Sequence, residues 1–218
     1  MIEARDITKS YYTLKGRYIV FRNLNFIIES GQNVALLGRN GEGKSTLLRL
    51  LAGQDKPDKG EIICDKTISW PIGLSSVFQG SLTGRQNVKF VARVHGVSQA
   101  HIHEIVQYVE NFAAIGEHFD MPVNTYSSGM RGRVAFGLSL AFSFDYYLID
   151  EALSVGDAQF KQKAADALKE KFSGANIILA SHGMSQVRQM CNTVFLLRNG
   201  TIECYDDVNA GIAAYEKA

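Results

Sequence analysis

Gly38-Arg39-Asn40-Gly41-Glu42-Gly43-Lys44-Ser45 is a glycine-rich octapeptide ending in a lysine and a serine. It fits GxxxxGK[ST], a pattern whose meaning depends on what flanks it. Before it, Asn33-Val34-Ala35-Leu36-Leu37 is a short apolar run of the kind buried in a parallel sheet. After it, residues 45–52 carry leucines at 47, 48, 50 and 51 and stop at Gly53, which predicts a helix. Strand, glycine loop and helix in this order make a phosphate cradle. The glycines let successive backbone N–H groups wrap an anion, and the helix offers it an N-terminus. Lys44 can then reach β- and γ-phosphates, and the Ser45 hydroxyl can ligate Mg²⁺.

A magnesium site of this type needs a carboxylate at a neighbouring strand end. Tyr146-Tyr147-Leu148-Ile149 is a second buried-strand pattern, and it ends on Asp150-Glu151. Adjacent residues on an extended strand point to opposite faces, so both carboxylates serve one site only if the strand ends there. Asp150 then suits the hydrated metal, and Glu151 suits the orientation and deprotonation of an attacking water.

Further outward, residues 18–29 show an approximate alternation (Ile19, Phe21, Leu24, Phe26, Ile28) broken at Asn23, as in a half-buried antiparallel strand. Residues 85–119 turn helical, with Val88, Val91 and Ala92, then Ile102, Ile105, Val106 and Val109 at three-and-four spacing. A helix over 129–142 leads into the Asp150 strand. Alternation then resumes with helix 158–172, strand 176–180, helix 184–190 and strand 193–197. Asn199-Gly200 is a hairpin turn signal before strand 201–205 and a final short helix. The expected architecture is an α/β P-loop NTPase core with a mainly parallel sheet. An N-terminal antiparallel β subdomain joins it, and a helical lobe is inserted into it. The core is expected over 1–79 and 145–218, and the lobe over about 80–144.

The 218 residues fit a single domain with such an insertion, and 46% apolar residues supply its core. A net charge of +1 gives no electrostatic reason to expect nucleic acid as a partner. The three cysteines, Cys64, Cys191 and Cys204, are scattered without a CxxC pair, as free thiols in a reducing compartment would be. Met1-Ile2-Glu3-Ala4-Arg5-Asp6 has charges where a signal peptide needs an apolar stretch. The apolar run over 134–144 is interrupted by Gly137, Ser139 and Ser143. It is too short to span a bilayer. A soluble chain is expected, one that serves a membrane only through another subunit.

Between the two strand ends lies Tyr126-Ser127-Ser128-Gly129-Met130. It resembles the LSGGQ signature of the ATP-binding cassette family, departing from it at three of five positions and keeping Ser127 and Gly129. A serine hydroxyl and a glycine N–H at a helix N-terminus make an anion site. The resemblance covers essentially the whole chain and implies ATP and Mg²⁺ as cofactors. Gly38, Arg39, Asn40, Gly41, Glu42, Gly43, Lys44, Ser45 and Thr46 are implied as nucleotide contacts. Asp150, Ser45 and Gln79 are implied around the metal, with Glu151, His182 and Lys44 as the catalytic set. Gln79 matches the glutamine that joins core and lobe, and His182 matches the switch histidine on the γ-phosphate. Ser154-Val155-Gly156-Asp157 is similar to the D-loop. Tyr11 matches the aromatic that stacks on adenine, with Tyr12 as its rival. In the family, the signature loop faces the nucleotide bound by a second subunit. A head-to-tail homodimer follows from that, with Ser127 and Gly129 completing the partner's site.

Within the family, Ile68-Ser69-Trp70-Pro71-Ile72-Gly73-Leu74 and Phe78-Gln79-Gly80-Ser81-Leu82-Thr83-Gly84-Arg85-Gln86-Asn87-Val88 are similar to the ATPase subunits that export capsular polysaccharide in Gram-negative bacteria. Some related O-antigen exporters carry an extra C-terminal carbohydrate-binding domain, which a chain ending at Ala218 has no room for. The resemblance implies two copies of a transmembrane permease as partners. Through them it implies a periplasmic co-polymerase and an outer-membrane exporter, and it places the chain on the cytoplasmic face of the inner membrane. The ATPase of an O-antigen or teichoic-acid exporter, or of another ABC transporter, is the alternative. Trp70, the one tryptophan, is either a packing residue or, with Pro71, part of a loop beside the permease.

Overall fold

A computed structural model describes residues 1–14, 16–72, 78–150, 157–172 and 174–217. Glu151, residues 154–156 of the expected D-loop and residues 73–77 lie outside them. In chain order the elements are β1 (Ile2–Thr13), β2 (Gly16–Ile28), β3 (Val34–Leu37), α1 (Lys44–Leu51), β4 (Lys59–Cys64), α2 (Gly84–Val94), α3 (Gln99–Ala113), α4 (Ser128–Ala141), β5 (Tyr146–Asp150), α5 (Ala158–Phe172), β6 (Asn176–Ala180), α6 (Met184–Met190), β7 (Thr193–Arg198), β8 (Thr201–Tyr205) and α7 (Val208–Glu216). Two compact units result. One comprises Met1–Pro71, Phe144–Glu151 and Gly174–Ala218, and the other Ile72–Ser143 and Ala152–Ser173.

The first unit holds the strands. One sheet runs β5-β6-β3-β7-β8, with β3 in the centre. β3 pairs in parallel with β6 and β7, β5 pairs in parallel with β6, and β8 closes the edge antiparallel to β7. All four residues of β3 are buried, which is why its sequence reads as a continuous apolar run. The β7–β8 turn uses Asn199 (φ 51°) and Gly200 (φ 76°), both left-handed as a tight hairpin requires.

The second sheet, β2-β1-β4, is antiparallel. The break in alternation at Asn23 is a bulge. Asn23 has φ 50°, Asp6 on the facing strand has φ 49°, and the β1–β2 register shifts around them. The carboxamide of Asn25 ties the two together, accepting from Asp6 N at 2.8 Å and donating to Asp6 Oδ1 at 3.0 Å. One core joins both sheets and α1. Phe21, Phe26 and Ile28 meet Leu36, Leu148, Ile178 and Phe195 there, together with Leu47, Leu48 and Leu51. Trp70 is buried, at 8% exposure, with its ring set edge-on against Phe144. This is the packing alternative.

The second unit is helical. The stretch expected to be helical over 85–119 is two helices, α2 and α3, separated at Gly96 (φ 71°) and followed by a short 3-10 turn at Gly116–Asp120. α4 is buried on nearly every side, so it shows no polar face and a weak helical period. Gly137 lets it approach Phe112 closely, since a Cβ there would lie 3.1 Å from the ring. Phe112, Phe136 and Phe160 form an aromatic cluster with centroids 5.6 to 6.1 Å apart, which brings α5 into this unit. Lys163 of α5 donates to the carbonyls of Asn111 and Phe112 at the end of α3, where a helix favours a cation.

Candidate nucleotide site

The parallel strands of the first unit end together. β3 runs into the 38–45 loop, β5 ends at Asp150, and β6, whose Ala180 is in register with both Leu36 and Asp150, leads to His182. In an open α/β sheet this carboxyl edge is where ligands bind.

α1 begins at Gly43 with φ 98°, without a side-chain cap and without an acidic residue in its first turn. Its leading N–H groups are thus not committed to a side-chain cap. Gly43 is required twice over: a Cβ would sit 2.6 Å from Val20 Cγ1 and 2.7 Å from Phe21 Cζ. The Lys44 ammonium folds back over the loop and donates to the carbonyls of Gly38 (2.6 Å) and Arg39 (3.1 Å).

A cleft of about 600 Å³ opens in front of this loop. Asn40, Gly41, Gly43, Lys44, Ser45 and Thr46 line it from one side, with Asp150, Tyr11, Tyr18 and Arg49 around them. Ser45 is exposed and Asp150 half-buried. The Ser45 hydroxyl and the Asp150 carboxylate line the same cleft and form an oxygen donor set that fits Mg²⁺, an ion usually held by one or two carboxylates plus substrate phosphates.

Three members of the predicted loop do not line this cleft. Gly38, Arg39 and Glu42 border a smaller cavity of about 160 Å³ beside the β7–β8 turn. The Glu42 carboxylate accepts from Asn199 N at 2.7 Å, so its side chain braces the loop against the hairpin. The pairing spans 157 residues of sequence and left no local signal.

Tyr11 lines the cleft half-buried, but its groups are already engaged. Its hydroxyl donates to Asp55 Oδ2 (2.7 Å), and Lys9 Nζ and the Arg49 guanidinium lie 5.0 and 5.9 Å from its ring centroid. Burial alone would raise the Asp55 carboxyl, but hydrogen bonds from Lys9, Tyr11 and the Lys56 amide outweigh it and hold that carboxyl below its ordinary range. Tyr12, the rival aromatic, is 86% exposed. Tyr18, which no motif marks, pairs across the strands with Tyr11 and also lines the cleft, its hydroxyl 3.4 Å from Gly41 O. The β1–β2 register is the signal that brings it there.

His182 is exposed, and its Nδ1 lies 3.1 Å from the Tyr215 hydroxyl.

In the second unit, Gln79 is held by its backbone. Its N–H donates to Asn87 Oδ1 (2.8 Å), and its carbonyl accepts from Asn87 Nδ2 (3.1 Å), while its side chain is exposed. Asn87, fully buried, also donates to the carbonyls of Leu82 and Thr83. Ser127 caps α4, its Oγ accepting from Met130 N at 3.2 Å. Ser127, Gly129 and Met130 border a cleft of about 470 Å³ with Arg133 and Asp157, which pair at 2.6 Å. Asp157 also caps α5, and its carboxyl is held low, first by the Phe160 N–H and then by Arg133. The preceding Tyr126 is buried. Its hydroxyl accepts from Gly84 N (3.1 Å) and donates to Phe119 O (3.3 Å), which fixes the loop to the start of α2.

Comparison with known proteins places this geometry. The polysialic acid transport ATP-binding protein KpsT of Escherichia coli is 51% identical over 217 residues, 99% of this chain and 96% of its own length. The capsule polysaccharide export ATP-binding protein CtrD of Neisseria meningitidis serogroup B is 41% identical, over 99% of this chain and 98% of its own length. A dimeric post-hydrolysis structure of an ATP-binding cassette bound to ADP and Pi superposes with a TM-score of 0.76 at 22% identity. It covers 93% of this chain and 97% of that one, and so shares the fold. Residues 21–154 match the family described as ABC transporter. With a near full-length relative at half identity and the phosphate loop at the carboxyl edge of its sheet, the chain belongs to the ABC transporter family.

Proposed function

We propose that this chain is the ATP-hydrolysing subunit of a transporter that exports capsular polysaccharide across the inner membrane. The observation that carries the reading is its near full-length likeness, at half identity, to a polysialic acid transport ATP-binding protein. The cleft between Lys44, Ser45 and Asp150 supplies the chemistry.

The nucleotide's phosphates lie over the 38–45 loop, cradled by its amides and the start of α1. ATP displaces the loop carbonyls from Lys44, whose ammonium then neutralises β- and γ-phosphate charge. Ser45, Asp150 and Gln79 would hold the Mg²⁺, which when bound would supply charge neutralisation on the phosphates. Glu151 takes the proton of the attacking water, and His182 contacts the γ-phosphate. Ser127 and Gly129 of a second copy complete the site, so that hydrolysis belongs to a homodimer. The strand-bearing and helical units are the core and lobe of one cassette. The lobe receives a permease dimer, through which a periplasmic co-polymerase and an outer-membrane exporter connect. The cassette stands on the cytoplasmic face of the membrane. Among the described residues no helix is long and apolar enough to cross a membrane.

The test is hydrolysis by the protein reconstituted with its permease. Activity should require Mg²⁺ and fall on the order of a hundredfold or more in Lys44→Ala, since the lost group stabilises transferring charge. Wild-type turnover in Lys44→Ala would overturn the reading.

A further inference from the structure

Tyr215, near the end of α7, touches two parts of the first unit at once. Its hydroxyl is 3.1 Å from His182 Nδ1, and its side chain borders the small cavity formed with Gly38 and Arg39 at the start of the phosphate loop. α7 is anchored independently of either. Asp207 caps it through Ala210 N at 2.6 Å, and Ile212 is 1% exposed. Gly211 lies so close to β7 that a Cβ there would come 2.5 Å from Val194 Cβ. Arg188 of α6 adds a bond to Asn209 at 3.2 Å. The hydroxyl thus stands on a fixed helix, whereas His182 follows the end of β6 in an exposed segment.

We propose that Tyr215 is the positioning residue for His182. The tyrosine O–H donates to Nδ1, which places the imidazole hydrogen on Nε2 and makes that nitrogen the donor. A neutral imidazole with the opposite tautomer would present a bare lone pair to an anion, so the tautomer decides whether the ring attracts or repels a phosphate oxygen. The C-terminal helix, which carries none of the family's phosphate motifs, thereby sets the orientation of one phosphate contact and packs beside the loop that makes the others. The inference rests on the reading of His182 as a γ-phosphate contact.

Tyr215→Phe keeps the ring and removes only the hydroxyl. In the full chain with its permease, kcat should fall about fivefold, the worth of one neutral hydrogen bond, with the KM for ATP unchanged. In a His182→Ala background the same substitution should change nothing further. Imidazole nitrogen shifts in ¹⁵N-histidine-labelled protein, with His182 assigned by its loss in His182→Ala, should report an Nε2–H tautomer in the wild type and a mixture in Tyr215→Phe. Where His182→Ala is impaired, wild-type kcat in Tyr215→Phe would overturn the proposal, as would an equal loss in the His182→Ala background; an unchanged tautomer would overturn it in every case. If His182→Ala itself hydrolyses ATP normally while the tautomer still depends on Tyr215, the positioning stands and the catalytic reading of His182 fails.

Discussion

Two helices in this protein begin on glycine-containing loops, and the loops are built differently. α1 starts at Gly43, in a left-handed conformation with no side-chain cap. α4 starts at Ser127, whose hydroxyl accepts from Met130 N, behind a tyrosine bonded to Gly84 and Phe119. The first loop is shaped by backbone geometry and pressed against Val20 and Phe21; the second is held by side-chain hydrogen bonds to neighbouring helices. The difference teaches where each tolerates change. A loop defined by close backbone approach is rigid in sequence, whereas one tied by side chains accepts substitution wherever the ties are kept. That agrees with a signature motif that departs from LSGGQ at three of five positions while the phosphate loop keeps its full pattern.

The same glycine-to-alanine substitution should act very differently in the two loops. Gly43→Ala combines φ 98° with contacts of 2.6 and 2.7 Å, and should cost about 3 kcal/mol and abolish nucleotide binding. Gly129→Ala meets nothing nearer than Ser127 Oγ at 3.9 Å and should stay within about 0.5 kcal/mol of wild type. Thermal unfolding of the two variants checks this, and equal losses would erase the distinction. Next in size is Asn87→Ala, which leaves Gln79 N and several carbonyls without their buried partner. A loss of about 2 kcal/mol is expected, and under the proposed role of Gln79 at the metal the KM for ATP should rise with it. An unchanged KM at that stability loss would separate Asn87 from the nucleotide site.

The phosphate cleft has one flank that does depend on charge, and pH probes it. Lys9, almost fully buried, donates to Asp55 at 2.6 Å, and Asp55 also receives Tyr11. The Asp55 carboxyl is held below its ordinary value in the fold, so its contribution is present above that value and is lost as pH falls through the folded pKa. Asp55→Asn should therefore be less stable than wild type by about 1.5 kcal/mol near neutrality, and the gap should close in acid. A gap that widens on acidification would reverse the sign of the account.

Much of this was legible in the sequence. The parallel strands showed as apolar runs because they are buried on both faces, and the bounds of α5, β6, α6 and β8 coincide with their patterns. The antiparallel sheet was harder. Its bulges at Asp6 and Asn23 shift the register, so β1 was not delimited, and β4, half-exposed and partly charged, carries little pattern of its own. In the site, the motifs announced Lys44, Ser45 and Asp150. What they omit are individual side-chain contacts, near and far in sequence: Tyr18 beside Tyr11, Asn87 on Gln79, Tyr215 on His182 and, 157 residues apart, Glu42 with Asn199. Each depends on one side chain reaching a group that no periodicity marks.

Under the proposed function ATP hydrolysis by this chain drives polysaccharide export, and cells in which hydrolysis is abolished report on it. A strain whose only copy carries Lys44→Ala should go on making the polymer but hold it inside, with the cell surface bare. Normal amounts of polymer at the surface of that strain would contradict the account.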